Sequence, residues 1–245
     1  MHTPYGATES LPVATIEARE VMGETAAKTA AGAGVCVGRK FDTIEWRVIR
    51  ITDEPIATMA EVEKMPGGEV GELIVRGPQV SPAYVNLPSA NTLAKITDGD
   101  AIWHRMGDVG YVDDQQRFWY CGRKSHRVET AAGPLYTECV EAVFNTHLNV
   151  RRTALVGIGR RGEQTPVVIV ELERAAIAGD PRSPRAPADS STIEQDLHTL
   201  AQQHFHTQHV NRFLLHDQLP VDIRHNSKIF REQLAEWAAE RLASV

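Results

Sequence analysis

Along residues 42–49, DTIEWRVI, Ile44, Trp46 and Val48 fall on one face and Thr43, Glu45 and Arg47 on the other. That period-two alternation predicts a half-buried strand. MPGGEVGELIVRG (65–77) reads as a turn, a strand and a glycine stop, and RFWYCGR (117–123) as a short aromatic strand. Helical periodicity is sparse before residue 135. Beyond it, TECVEAVFNTH predicts a helix with Val140, Val143 and Phe144 inward. RRTALVGIG and TPVVIVELE are strand-like runs on either side of a Gly-rich turn. AGDPRSPRAPADSS (178–191) reads as an exposed loop ending in STIE, a capping box of Ser191 and Glu194. The helix after it puts Ile193, Leu197, Leu200 and Ala201 on one stripe. VNRFLLHD is a further strand. A terminal helix spaces Phe230, Leu234 and Trp237 on one side and Glu232, Glu236 and Glu240 on another.

The change of pattern divides the chain into a strand-rich part, 1–122, and a smaller α+β part, 123–245. The 245 residues suffice for one large or two modest domains with proper cores. Their net charge of −6 argues against a nucleic-acid binder, which would carry a basic stripe. No run approaches the ~20 apolar residues of a membrane span, and no signal peptide is visible at the N-terminus. Cys36, Cys121 and Cys139 share no C-x-x-C spacing, which suggests a reduced, cytoplasmic chain.

Three stretches carry candidate chemistry. In PYGATES (4–10), Gly6 permits a tight backbone path, Thr8 offers a hydroxyl for a phosphate and Glu9 a carboxylate for Mg²⁺. In WHRMGDVGYVDDQQRFWYCGRK (103–124), Asp108 stands at a glycine-flanked turn before a strand, with Arg123 at the end of the next strand. The carboxylate could accept both hydroxyls of a ribose and the guanidinium donate to the same sugar or a phosphate. The plainer alternative is a β-hairpin with a turn aspartate and a surface arginine. In LPVDIRHNSKIFREQL (219–234), Lys228 is expected at the mouth of the last helix, where a cation opposes the macrodipole. Arg231 lies one turn on.

Together these stretches resemble the adenylate-forming superfamily of acyl-CoA synthetases, luciferases and nonribosomal peptide synthetase adenylation domains. YGATE matches its Y-G-x-T-E motif, GELIVRGPQVSPAYVN its G-E-L…G…Y-x-N motif and HRMGDVGY its R-x-G-D motif. GRK opens the hinge motif and NSKIFREQL matches the G-K-x-x-R motif. The resemblance covers the whole chain and only the second half of the family's length. The family's Ser/Thr/Gly-rich phosphate loop is not found, and GAGVCVG (32–38) has the wrong spacing to replace it. Met1 is therefore expected to be a cloning boundary or the start of a shortened reading frame. The pattern G-R-K-x-H-R-V-E-T-x-x-G-P-L-Y-T-E is similar to that of the olefin-biosynthesis ligases, which adenylate a long-chain β-hydroxy acid and close it to a β-lactone without coenzyme A. Ser125, Glu129 and Ala132 stand where most relatives have a hinge acid or lysine and a K-x-x-G signature of the thiol channel.

The resemblance implies a strand-rich, barrel-like subdomain followed by a small mobile α+β domain, and a dependence on ATP and Mg²⁺. It places Tyr5, Gly6, Asp108 and Arg123 in the nucleotide-binding set, with Thr8 on the α-phosphate and Glu9 on Mg²⁺. Lys228 would bridge the substrate carboxylate and the α-phosphate. A β-hydroxy fatty acid is the implied substrate, and other olefin-biosynthesis enzymes are the implied partners. His126 is one candidate for the base in lactone closure. The rival readings are an acyl-CoA or acyl-AMP ligase and an inactive remnant. Thr8 and Glu9 are expected to depend on strands outside the chain for their positions. His204, His206 and His209, in HFHTQH, read as a solvated helix end rather than a metal site. Trp46, Trp103, Trp119, Trp237 and Cys121 read as packed core.

Overall fold

The computed structural model describes residues 1–173, 190–222 and 228–243. It divides into two compact units, one of residues 1–29 and 33–125, the other of 30–32 and 126–245.

The first unit begins with a hairpin, β1 (His2–Ala7) and β2 (Ser10–Glu17). A helix, α1, follows over Ala18–Glu20, Val21–Thr25 and Ala26–Ala30, with a π-helical turn in its middle. It corrects the expectation of sparse helix here. Its inward face carries few large side chains, so its periodicity is weak in the sequence. Next come β3 (Val35–Lys40), β4 (Glu45–Ile49), β5 (Gly71–Arg76), α2 (Pro88–Ala94), β6 (Lys95–Asp98), β7 (Ala101–Val112) and β8 (Phe118–Arg123). The strands form one sheet in the order β1-β2-β3-β8-β7-β5-β4, with β6 also paired to β7. The alternation in DTIEWRVI is realised: Ile44 is fully buried, and Trp46 and Val48 pack on the same cluster as Leu73, Val75 and Phe118. Trp103 and Trp119 are also core.

The second unit contains β9 (Val128–Thr130), β10 (Gly133–Leu135), α3 (Thr137–Phe144), β11 (Val150–Ile158), β12 (Thr165–Leu172) and α4 (Ser190–Gln202). It closes with β13 (Phe213–Leu215), β14 (Val221–Asp222), β15 (Lys228–Ile229) and α5 (Arg231–Ala243). β11, β12 and β13 form a sheet in that order, with β12 and β13 parallel. The unbroken apolar run of TPVVIV follows from burial on both faces. Val168 and Val170 join Val140, Phe144, Ile193 and Leu197 of α3 and α4 in one core. Val167 and Ile169 join Leu234 and Ala238 of α5 in another.

Two local expectations change. The helix α4 begins at Ser190, so Ser191, read as its N-cap, already lies inside it; the loop ahead of it, 178–189, lies outside the described residues. The same helix ends at Gln202, so His204, His206 and His209 follow it rather than ride on it. His206 is half-buried with Nε2 3.1 Å from the Cys139 carbonyl, and burial lowers its pKa.

Candidate active site

Thr8 and Glu9 form the turn of the β1–β2 hairpin. Gly6 is required just before it, because a Cβ there would lie 2.4 Å from the Ser10 carbonyl oxygen. The hairpin is pinned by residues of this chain, which corrects the expectation that the turn depends on strands elsewhere. Ser81 donates its N–H to the Glu9 carbonyl at 2.7 Å, and Ser10 bridges to Val80. The Tyr84 hydroxyl donates to the Glu9 carboxylate at 2.6 Å. That bond holds the Glu9 pKa below the usual carboxylate range, while burial and the same bond push Tyr84 up to about 12. Behind Tyr84, Lys95 lies 5.3 Å from its ring centroid and donates to the Ser81 carbonyl at 2.5 Å. The buried His104 packs edge-on to the same ring, and burial lowers its pKa to about 4. The Thr8 side chain is exposed and makes no hydrogen bond among the described residues.

Asp108 lies inside β7, not at a turn ahead of a strand. The glycine beside it does the work expected of a turn: Gly107 has φ +67°, a left-handed conformation that L side chains rarely adopt. Register places Asp108 directly across from Arg123 of β8. Arg123 donates to Asp108 Oδ1 at 2.6 Å and the Tyr5 hydroxyl to Oδ2 at 2.5 Å. Asp108 is 4% exposed, and burial raises its pKa against the pull of Arg123. One donor sits on each carboxylate oxygen. Each oxygen therefore keeps a lone pair for a further hydroxyl.

The same unit holds a charge cluster that sequence reasoning missed. Arg105 is buried and doubly bonded to the fully buried Glu72, with Nη2 2.6 Å from Oε2. Its other donors reach the carbonyls of Thr52, Glu54 and Leu93. Lys124 donates to the same Glu72 oxygen at 3.1 Å and to the Thr52 carbonyl at 3.0 Å. A buried charge without a partner is strongly unfavourable. A glutamate in GELIV and an arginine in HRMGD, each amid core residues, were the signal that could have found it.

Lys228 is exposed and opens β15, opposite Asp222 of β14 and three residues ahead of α5. It therefore does not sit at the helix mouth as expected. Arg231 takes that place, held by the buried Glu141 of α3. The polar stretch 223–227 lies outside the described residues. His126 is mostly buried, with Nε2 3.8 Å from Glu232 Oε1. Glu129 is bridged by Arg127 at 2.8 Å and Arg161 at 2.7 Å, so it is committed to ion pairs. Among the described residues no cluster of three or more His, Cys, Asp or Glu side chains could hold a metal by itself. No helix there is long and apolar enough to cross a membrane.

No family model matches the chain. The olefin β-lactone synthetase of Xanthomonas campestris pv. campestris is 49% identical over 244 residues, which is 98% of this chain and 42% of that protein. That of Stenotrophomonas maltophilia is 49% identical over 245 residues, with the same shares. The chain thus spans about 42% of the length of these curated relatives. The amide bond synthetase McbA of Marinactinospora thermotolerans superposes with a TM-score of 0.72 at 22% identity, covering 96% of this chain and 42% of that one. O-succinylbenzoate coenzyme A synthetase of Bacillus subtilis, in complex with ATP and magnesium ion, gives 0.69 at 21%, covering 95% and 41%. At such identities the likeness establishes the fold. With the relatives, it makes this chain similar to a portion of enzymes of the adenylate-forming superfamily. Its sequence resembles part of the olefin β-lactone synthetases.

Proposed function

We propose that this chain is the C-terminal portion of an ATP-dependent ligase that adenylates a long-chain β-hydroxy acid and closes it to a β-lactone. The observation that carries the reading is 49% identity over 98% of the chain to two olefin β-lactone synthetases. The geometry around Asp108 and Glu9 supports it.

In this reading Asp108 receives the ribose hydroxyls on its remaining lone pairs, and Arg123 and Tyr5 fix the carboxylate plane. Gly6 shapes the turn that offers Thr8 to the α-phosphate. Glu9 fits Mg²⁺ because it is ionised, partly exposed and singly placed, as suits an ion that shares its ligands with substrate phosphates. Bound there, Mg²⁺ would neutralise phosphate charge. Lys228 meets the substrate carboxylate and the α-phosphate as an anion attacks an anion, where a well-placed cation is most effective. The carboxylate oxygen bonds to the α-phosphorus as pyrophosphate leaves. The β-hydroxyl then attacks the activated carbonyl carbon, its proton passes to a base such as solvent water, and the acyl C–O bond to phosphate breaks to release AMP. Holding hydroxyl and carbonyl in register could contribute up to ~7–11 kcal/mol.

We further propose two domains, 1–122 and 123–245, that rotate about residues 123–125 and so bring Lys228 to the nucleotide. Limited proteolysis with no cleavage between 120 and 135 would contradict that hinge. A reducing cytoplasm suits the three free cysteines. The experiment is ATP–pyrophosphate exchange driven by a β-hydroxy acid, using this chain fused behind the N-terminal portion of the Xanthomonas relative. Acid-dependent exchange is expected from the fusion and none from the chain alone. Exchange by the chain alone would show that the missing portion is not required, and none from the fusion would refute the reading.

A further inference from the structure

Lys228 is exposed, yet the short strand pair that carries it is tied down on both sides by buried carboxylates. On the far side, Arg231 opens α5 and forms a two-pronged ion pair with Glu141 of α3, Nη2 lying 3.0 Å from Oε2. Glu141 is 6% exposed and also accepts the Leu155 N–H at 2.7 Å, while Arg231 Nη1 reaches the Leu155 carbonyl at 3.3 Å. β11 is an edge of its sheet. Leu155 turns its N–H and C=O to that open edge, where carboxylate and guanidinium meet both groups as a neighbouring strand would. The start of α5 is thereby fixed to the sheet through a planar fork, which sets direction as well as distance.

On the near side, Glu171 of β12 is 1% exposed and accepts from Arg151 at 2.8 Å and Arg152 at 2.7 Å. It also accepts the N–H of Leu219 at 2.8 Å, two residues before β14. Between the anchors, the Phe230 N–H donates to the Pro220 carbonyl at 3.0 Å, and Val221 and Asp222 pair with Ile229 and Lys228. Each glutamate therefore joins one or more guanidinium groups to one backbone N–H. The two span the strand pair that presents the lysine.

We infer that Glu141, Arg231 and Glu171 are positioning residues for Lys228, an inference that rests on the catalytic reading of that lysine. They form a clamp that fixes the outer ends of the strand pair and leaves the ammonium free to meet its ligands. Buried ion pairs of this kind are poor sources of net stability. What the clamp supplies is placement, to which transfer chemistry is sensitive on a scale of about 1 Å.

The test is hydrogen exchange, resolved by mass spectrometry, on the purified 245-residue chain and its Glu141→Gln, Glu171→Gln and Arg231→Lys variants. In the two glutamine variants the amides of 228–234 should exchange at least about 10-fold faster, while those of β11 and β12 stay protected. Arg231→Lys keeps the charge, loses the fork and should fall between. In the fused enzyme the same variants should lower kcat for pyrophosphate exchange by roughly 10- to 100-fold with the KM for ATP unchanged. Unchanged exchange at 228–234, or a loss spread evenly over the unit, would overturn the clamp. So would kcat within twofold of the parent. If Lys228→Ala leaves the fusion's kcat intact, the catalytic reading of the lysine fails, and hydrogen exchange still decides whether the clamp exists.

Discussion

Asp108 and Lys228 are supported in opposite ways. Asp108 is almost fully buried, with a donor on each oxygen and a second charge cluster of Glu72, Arg105 and Lys124 in the same unit. Lys228 is exposed on a two-residue strand, and its buried partners hold its neighbours rather than its own ammonium. In the proposed reading Asp108 receives a ligand and can be locked at its tip, whereas Lys228 has to meet charge as it develops and is better locked at its base, with the tip left free. The same contrast separates Glu9, clasped by Tyr84, from the exposed Thr8, whose hydroxyl has no partner among the described residues.

Substitutions should separate the two modes. Lys228→Ala in the fused enzyme should lower kcat for pyrophosphate exchange by about 10²–10³-fold, the usual scale for removing one preorganised electrostatic group. Folding stability should stay within about 0.5 kcal/mol, as for other exposed positions. Asp108→Ala should act on binding, raising the KM for ATP by roughly 10- to 100-fold, since charged hydrogen bonds contribute about 1.5–3 kcal/mol. A kcat effect from Asp108 or a pure KM effect from Lys228, read from ATP titrations, would erase the distinction.

A smaller effect concerns Glu138, half-buried on α3 one turn before Glu141. Burial, then the Glu141 charge, raises its pKa to about 7, with Arg231 acting in the opposite sense. Its pKa is raised on folding, so the stability tied to its proton is complete below about 4.5 and lost as pH rises through about 7. Glu138→Gln should leave stability unchanged at pH 4 and add about 1–2 kcal/mol at pH 8 in urea titrations. Equal curves at both pH values would show that Glu138 carries no such penalty. The smallest change is expected from Tyr84→Phe. It removes the donor that orders Glu9 and should raise the Mg²⁺ concentration for half-maximal exchange by a few-fold, on the scale of about 1 kcal/mol for one hydrogen bond. An unchanged Mg²⁺ dependence would leave Tyr84 with a packing role.

Legibility in the sequence followed periodicity and size. The strand at 45–49, the helix at 137–144 and the stripe of Ile193, Leu197 and Ala201 carry large apolar side chains at regular spacing, and all were readable. The helix at 18–30 was not, because Thr25 is the one residue it buries and no apolar stripe runs along it. Motif spacing drew attention to Asp108, Arg123 and Glu9, and the structure gives each a specific set of partners. It could not supply those partners. Tyr84 lies 75 residues from Glu9 and Arg231 lies 90 from Glu141, so only the fold brings them together. Lys228 was misplaced by three residues for a related reason. A two-residue strand has no period to read, and it delays the helix to Arg231.

The central claim is a carboxylate activated with ATP and then closed by the substrate's own hydroxyl. Its most direct measurement is product analysis of the fused enzyme given a long-chain β-hydroxy acid, ATP and Mg²⁺, with and without coenzyme A. The account predicts AMP and a β-lactone in equal amounts, formed without any thiol and at a rate that coenzyme A leaves unchanged. Thioester formation at a comparable rate, with no lactone, would contradict it and move the chain to the acyl-CoA ligases.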